Sequence, residues 1–216
     1  MKSPSSKVID QVLASGPKQF FKETGFRKMA RSFIKEVGDL YWVVNFQSSM
    51  WNSPESARFT VNLMLVLPYF HEIWTSKPFP KNPGSAAPVC RFRIGLLMPE
   101  RKDYWWEVDL ETDAEQVGNE VTELIASIGL PYLEKATNLE WVIQQLLDEE
   151  YFHGCVMNQP LAASILLHHL GKEKKAERVI QSLKKKNTHE GFGKTITTIE
   201  SRIKTKDVNK AGGGLS

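Results

Sequence analysis

Arg91 and Arg93 stand two residues apart, and the interleaved Cys90, Phe92, Ile94 and Leu96 give their segment the alternation of a strand with one apolar face. Two guanidiniums on one strand face present planar forks of donors, suited to an anion, a phosphate or a partner's carboxylate. Three amides fall on the matching parity of earlier strands. Asn45 and Gln47 alternate with Trp42, Val44 and Phe46, and Asn62 sits amid Thr60, Met64 and Val66, opposite Phe59, Val61, Leu63, Leu65 and Leu67. A buried amide is costly unless its hydrogen bonds are met, so these amides are expected to face water, a partner or a ligand. Trp51 and Trp105 are placed to flank the same surface. The predicted binding face is therefore Asn45, Gln47, Trp51, Asn62, Arg91, Arg93 and Trp105, with Arg31 joining it if the register of the first strand allows.

A plainer expectation competes with that reading. Arg93 can pair with Glu107 on a neighbouring strand while the indoles merely cover hydrophobic edges. Within Trp105-Trp106 the two rings have opposite parities, so Trp106 is expected in the core and Trp105 outward as an aromatic anchor for binding.

Other motifs fail on spacing or context. Gly191-Phe192-Gly193-Lys194-Thr195 resembles the end of a phosphate-binding loop, but the first glycine of that motif would fall on Thr188, and a lysine-rich helix precedes it. His168-His169 lies within a predicted helix, where neighbours point about 100° apart and do not readily chelate one ion. His153-Gly154-Cys155 lacks further ligands at metal-site spacing. No G-x-S-x-G, H-E-x-x-H or paired-Cys motif occurs, so no catalytic signature, metal or cofactor is implied.

The elements that must position the face follow from periodicity and punctuation. A first helix capped by Ser6 is expected, broken at Gly16-Pro17 and closed at Gly25. Three antiparallel strands follow within residues 26–67: about 31–37, 40–50 and 59–67, with Gly38-Asp39 as a tight turn and Trp51-Asn52-Ser53-Pro54 as the next connection. A short helix over 69–74 leads to a loop at 76–88 with four prolines. Strands over 89–97 and 105–108 come next. From Asp113 the period becomes helical, with a helix closed by Gly129 before Pro131 and another over 139–147. Residues from about 160 read as a helical hairpin hinged at Gly171, with a frayed Gly212-Gly213-Gly214 tail. One helix–Gly–helix unit without a second copy is a structural hairpin rather than a repeat array.

The expected fold is α+β. A mainly antiparallel sheet of four or five strands packs one face on helices, because a sheet with one apolar face must be covered. The expected organisation is an α+β domain over 1–150, with a C-terminal hairpin and basic tail over 151–216 packed on it. At 216 residues there is material for a sizeable core. The net charge of +3 is too small to imply nucleic acid by itself, but it is segregated: +7 over 1–99, −11 over 100–150 and +7 over 151–216. The acidic middle is expected to be a solvated helical face, or else a docking surface for a basic partner. Two cysteines and the absence of an apolar leader or spanning segment point to a reducing, cytoplasmic setting without a membrane.

Several short motifs, taken in order, resemble a known family. Gly25-Phe26-Arg27-Lys28, Val44-Asn45-Phe46-Gln47-Ser48 with Trp51-Asn52, Asn62-Leu63, Arg93-Ile94-Gly95-Leu96-Leu97 and Trp105-Trp106-Glu107 are similar to domain-of-unknown-function family 4304, over roughly residues 5–150. The resemblance implies a compact bacterial α+β domain and transfers no catalytic residue. The functional expectation is a non-enzymatic protein-recognition module, an adaptor or an immunity- or defence-type protein, binding an unknown protein through the polar and aromatic face. The alternatives are binding of nucleic acid or a phosphorylated ligand by Arg31, Arg91, Arg93 and the lysines of 172–186, and an enzyme with no legible motif.

Overall fold

The computed structural model describes residues 3–148, 159–187 and 189–212, with side chains described as far as 206. His153-Gly154-Cys155 and the glycines at 213 and 214 lie outside the described residues. Helix α1 (Pro4–Ser15) begins before Ser6, because Ser3 is the cap: its side chain accepts the Ser6 N–H at 3.2 Å, and Pro4 needs no partner for a missing N–H in the first turn. Val8, Ile9, Val12 and Leu13 form its buried stripe. Gly16 separates it from α2 (Pro17–Glu23), and Gly25, at φ +83°, turns the chain into the sheet.

The sheet is antiparallel throughout. Its strands are β1 (Arg27–Met29), β2 (Ser32–Val37), β3 (Leu40–Ser48), β4 (Ser56–Val66), β5 (Cys90–Arg93) and β6 (Trp106–Asp109). The three residues of β1 precede the expected first strand. The order is β1-β2-β3-β4-β5, while β6 also pairs with β4. Thus β4, eleven residues long, carries β5 along 62–65 and β6 along 56–59 of one edge. The β5 strand stops at Arg93, short of the expected 97, and Ile94–Leu96 forms a 3-10 turn.

One sheet face holds the main core, as the alternation predicts. Phe21 of α2 stacks on Phe33 at 4.2 Å between ring centres, and the series continues through Phe46 and Phe59 to Trp106. These rings cross the sheet diagonally and tie successive strands together. Helices α1 and α4 (Ala114–Leu124) cover this face with α5 (Leu130–Ala136).

The expected stop at Gly129 does not occur. The helix passes through a π turn, Ile125–Gly129, in which the Leu130 N–H reaches the Ile125 carbonyl. A five-residue step makes room for Pro131, whose ring would collide with the carbonyl four residues back in a regular α-helix. A Cβ on Gly129 would stand 3.3 Å from a Leu63 methyl, so this glycine sets a close helix–sheet approach rather than an end.

Helix α3 (Pro68–Thr75) follows β4. Helices α6 (Leu139–Leu147), α7 (Gln159–His169), α8 (Glu173–Lys186) and α9 (Glu190–Gly212) complete the described chain. Gly171, at φ +69°, joins α7 to α8 as expected, and α9 adds a third member to the predicted hairpin. Residues 161–167 of α7 are all buried, so this helix is enclosed rather than amphipathic. It packs among α3, α6 and α8, and its side chains belong to the same apolar cluster as the inner sheet face.

Candidate functional site

The outer sheet face divides into two halves. Toward one end Ile34, Val43, Met64 and Val66 form a small second core, roofed by Ala86 and Phe79 of the proline-rich connection. Tyr41 stacks on Phe79 at 5.5 Å. His71 Nδ1 accepts the Ala87 N–H at 2.9 Å and pins the connection down. The expected open sheet face is therefore covered here, because four apolar side chains on its outward parity demand burial as the inner ones do.

The other half is polar, and its amides bond to one another. The register aligns Ser32, Asn45, Asn62 and Arg93 as successive partners across β2, β3, β4 and β5. Asn45 Nδ2 donates to Ser32 Oγ at 2.9 Å, and Asn62 Nδ2 donates to Gln47 Oε1 at 2.8 Å. Asn62 is 3% exposed, whereas Asn45 and Gln47 are half-buried. In the gap between β5 and β6, buried Thr60 donates to the Tyr104 carbonyl at 2.9 Å. Removing the buried Asn62 amide leaves half-buried Gln47 short of a donor, so Asn62→Ala is expected to cost about 1 kcal/mol. Urea titration checks this, and a loss below about 0.5 kcal/mol would show that water replaces the bond.

Arg93 closes the row in a cluster the sequence did not predict. Its guanidinium bonds to Asp103, not to Glu107, and lies 5.0 Å from the centre of the Trp105 ring. Glu107 instead lies 3.8 Å from Arg58. Partial burial pulls the Asp103 carboxyl upward. Hydrogen bonds from the Arg93 and Trp105 side chains, with the charge of Arg93, outweigh it and leave Asp103 below the ordinary carboxylate range. The clamp therefore adds stability above the unfolded carboxylate's pKa and loses it as pH falls through the lowered value. Trp105 is half-buried in this cluster instead of standing free, and Trp106 is core at 4% exposure. Arg91 is exposed, its Nε 3.3 Å from Met64 Sδ.

Two predicted contributors lie elsewhere. Arg31 occupies the β1–β2 turn on the helical side of the sheet, where its forks reach Asp10 at 2.8 Å, the Ser6 carbonyl at 2.7 Å and Ser48 Oγ. Trp51 stands at the tip of the β3–β4 hairpin, 81% exposed, beside Met50 at 86%. Leu110, 64% exposed, follows β6 at that same end of the sheet, because Ser56 pairs with Asp109. Met50 and Leu110 escaped the sequence reading, since isolated apolar residues in connections carry no periodic signal. Ser32 could have been found: a two-residue turn at Gly38-Asp39 pairs Val37 with Leu40 and so Ser32 with Asn45.

A family model described as "Domain of unknown function (DUF4304)" matches residues 18–135. The chain belongs to the DUF4304 family. The match runs from α2 to α5 and takes in all six strands, narrower at both ends than the resemblance over 5–150. The whole polar row, the Arg93 cluster and the hairpin tip fall within the DUF4304 segment, while α1 and α6–α9 lie outside it. No curated protein and no solved structure matches the chain. Among the described residues no helix is long and apolar enough to cross a membrane.

Proposed function

We propose that this chain is a non-enzymatic protein-recognition module, an adaptor or immunity-type protein of the bacterial cytoplasm. Its partner docks on the polar half of the outer sheet face and the hairpin tip that continues it. The observation that carries this reading is the tip. Met50 and Trp51 leave an indole and a thioether almost wholly in water, and such a pair adds nothing to folding while offering the large amphipathic contact typical of binding anchors. Gln47, Asn45 and exposed Arg91 supply hydrogen-bonding groups along β3 and β5, and the acids Glu55, Asp109 and Glu111 near the tip favour a partner with cationic groups at its rim.

The test is capture from host lysate, after nuclease treatment, with the native chain, with Met50→Ser/Trp51→Ser and with Arg93→Ala. A stoichiometric protein held by the native chain and lost from the tip variant, at unchanged melting temperature, is the expected result. Arg93→Ala is expected to weaken capture as well, by releasing Trp105 and Asp103. Equal capture by all three would place recognition elsewhere and overturn the assignment.

A further inference from the structure

The exposed side of α8 is a row of cations that the fold does not use. Lys174, Arg178 and Lys185 recur at i, i+4 and i+11, within about 40° of one another around the helix axis and spread over roughly 16 Å. Lys175 and Lys186 flank them, and all five are exposed, as are the intervening Gln181 and Ser182. The buried side is Ala176 and Ile180, on α7 and α9.

Most neighbouring acids are committed elsewhere; Asp148, just after α6, lines the same groove as Lys175 and Arg178 and forms no ion pair among the described residues. Glu140 takes Lys172 at 2.5 Å, with Lys175 adding charge nearby, and Glu200 takes Lys184 at 2.5 Å and Lys204 at 3.3 Å. Glu190 pairs with Lys194 along α9. Glu173 lies roughly 100° around α8 from Lys174 and Glu177 roughly 60°, beside Lys174 at i,i+3; neither forms an ion pair with the stripe. No carboxylate among the described residues pairs with Lys174, Arg178, Lys185 or Lys186.

On the sheet face, by comparison, Arg93 and Arg58 meet carboxylates and Arg31 is internal, while Arg91 is exposed beside Met64. We infer that α8 is a docking surface for the phosphate backbone of double-stranded nucleic acid, separate from the protein-recognition face. The stripe is straight and cationic and carries no aromatic ring. It therefore suits sequence-independent phosphate contacts rather than stacking on unpaired bases, and with no apolar side chain at its centre it has nothing to insert into a lipid interface.

The experiment is fluorescence anisotropy of a labelled DNA duplex of two helical turns, titrated with the full chain at several salt concentrations. Four phosphate contacts give a log–log slope near −3.6, an affinity loss of about 150-fold between roughly 50 and 200 mM salt. Lys174→Gln/Arg178→Gln/Lys185→Gln removes three exposed charges and no packing, and is expected to bring the slope to about −0.9 with its melting temperature retained. Polyglutamate is the competitor that separates a phosphate-tracking surface from a general acid-binding one. The inference is overturned by absence of duplex binding at about 50 mM salt, by an unchanged slope in the triple variant, or by polyglutamate competing as well as unlabelled duplex.

Discussion

Gly95→Ala is expected to destabilise the protein by about 3 kcal/mol, at the upper end of the usual cost of overpacking. A Cβ at this position would stand 2.4 Å from the Lys102 carbonyl oxygen and 2.6 Å from the Tyr104 nitrogen. Both are backbone atoms, so no side-chain rotation relieves the clash. The segment after the 3-10 turn would have to lift away from β5, which also withdraws the Tyr104 carbonyl from Thr60 and carries Asp103 and Trp105 off Arg93. For a chain of this length the loss corresponds to a fall in melting temperature of roughly 6–12 °C. Gly191→Ala is the control: nothing lies within 4 Å of its added Cβ, and in helix α9 alanine is the better residue. Calorimetry of the two variants checks the pair of expectations, and equal melting temperatures would sink the argument from close approach.

Arg31→Ala should cost about 2–3 kcal/mol, the range for losing charge-assisted hydrogen bonds at a mostly buried site. The side chain is 20% exposed and joins three elements at once: the first turn and Asp10 of α1, its own turn between β1 and β2, and Ser48 at the end of β3. Arg31→Lys tests the geometry apart from the charge. A single ammonium cannot reproduce a planar fork that serves Ser6 and Asp10 from different nitrogens, so the lysine variant should recover less than half of the loss. Guanidinium denaturation of both variants measures this, and full recovery by lysine would mean that only the charge matters. Because Arg31 faces the helices, neither variant should alter duplex binding by α8 beyond what destabilisation explains.

The family match covers the sheet and its first helical layer but neither α8 nor α9, which bears on where function is shared. The polar row and hairpin tip belong to the DUF4304 segment. The α8 stripe lies beyond it.

Local rules carried a good part of the structure. Period-two alternation fixed which side chains of β3, β4 and β5 face the core, and the Gly38-Asp39 turn was enough to set the β2–β3 register. Glycine marked real chain reversals at Gly25, Gly38 and Gly171, each with positive φ. The same rule misled at Gly129, where the competing signal was non-local: Leu63 of β4 needed a helix without a Cβ at that point, and a π turn accommodated the proline that followed.

What the sequence by itself determined was therefore the α+β class, the inner and outer parity of β3, β4, β5 and β6, and the set of polar groups on the outer side. Only the tertiary structure decided what those groups do. The β3–β4 register that places Asn62 opposite Asn45 depends on the loop at residues 49–55, whose conformation no periodicity fixes. The roof of Phe79 and Ala86 comes from the connection after α3, past the end of β4 and far along the chain from β2 and β3, whose residues it also covers. Arg93 met Asp103 rather than Glu107 because Gly95 lets the chain double back tightly. Side-chain alternation is a property of neighbouring residues and can be read one strand at a time; which polar group meets which is settled by loops and close approaches that bring distant residues into contact.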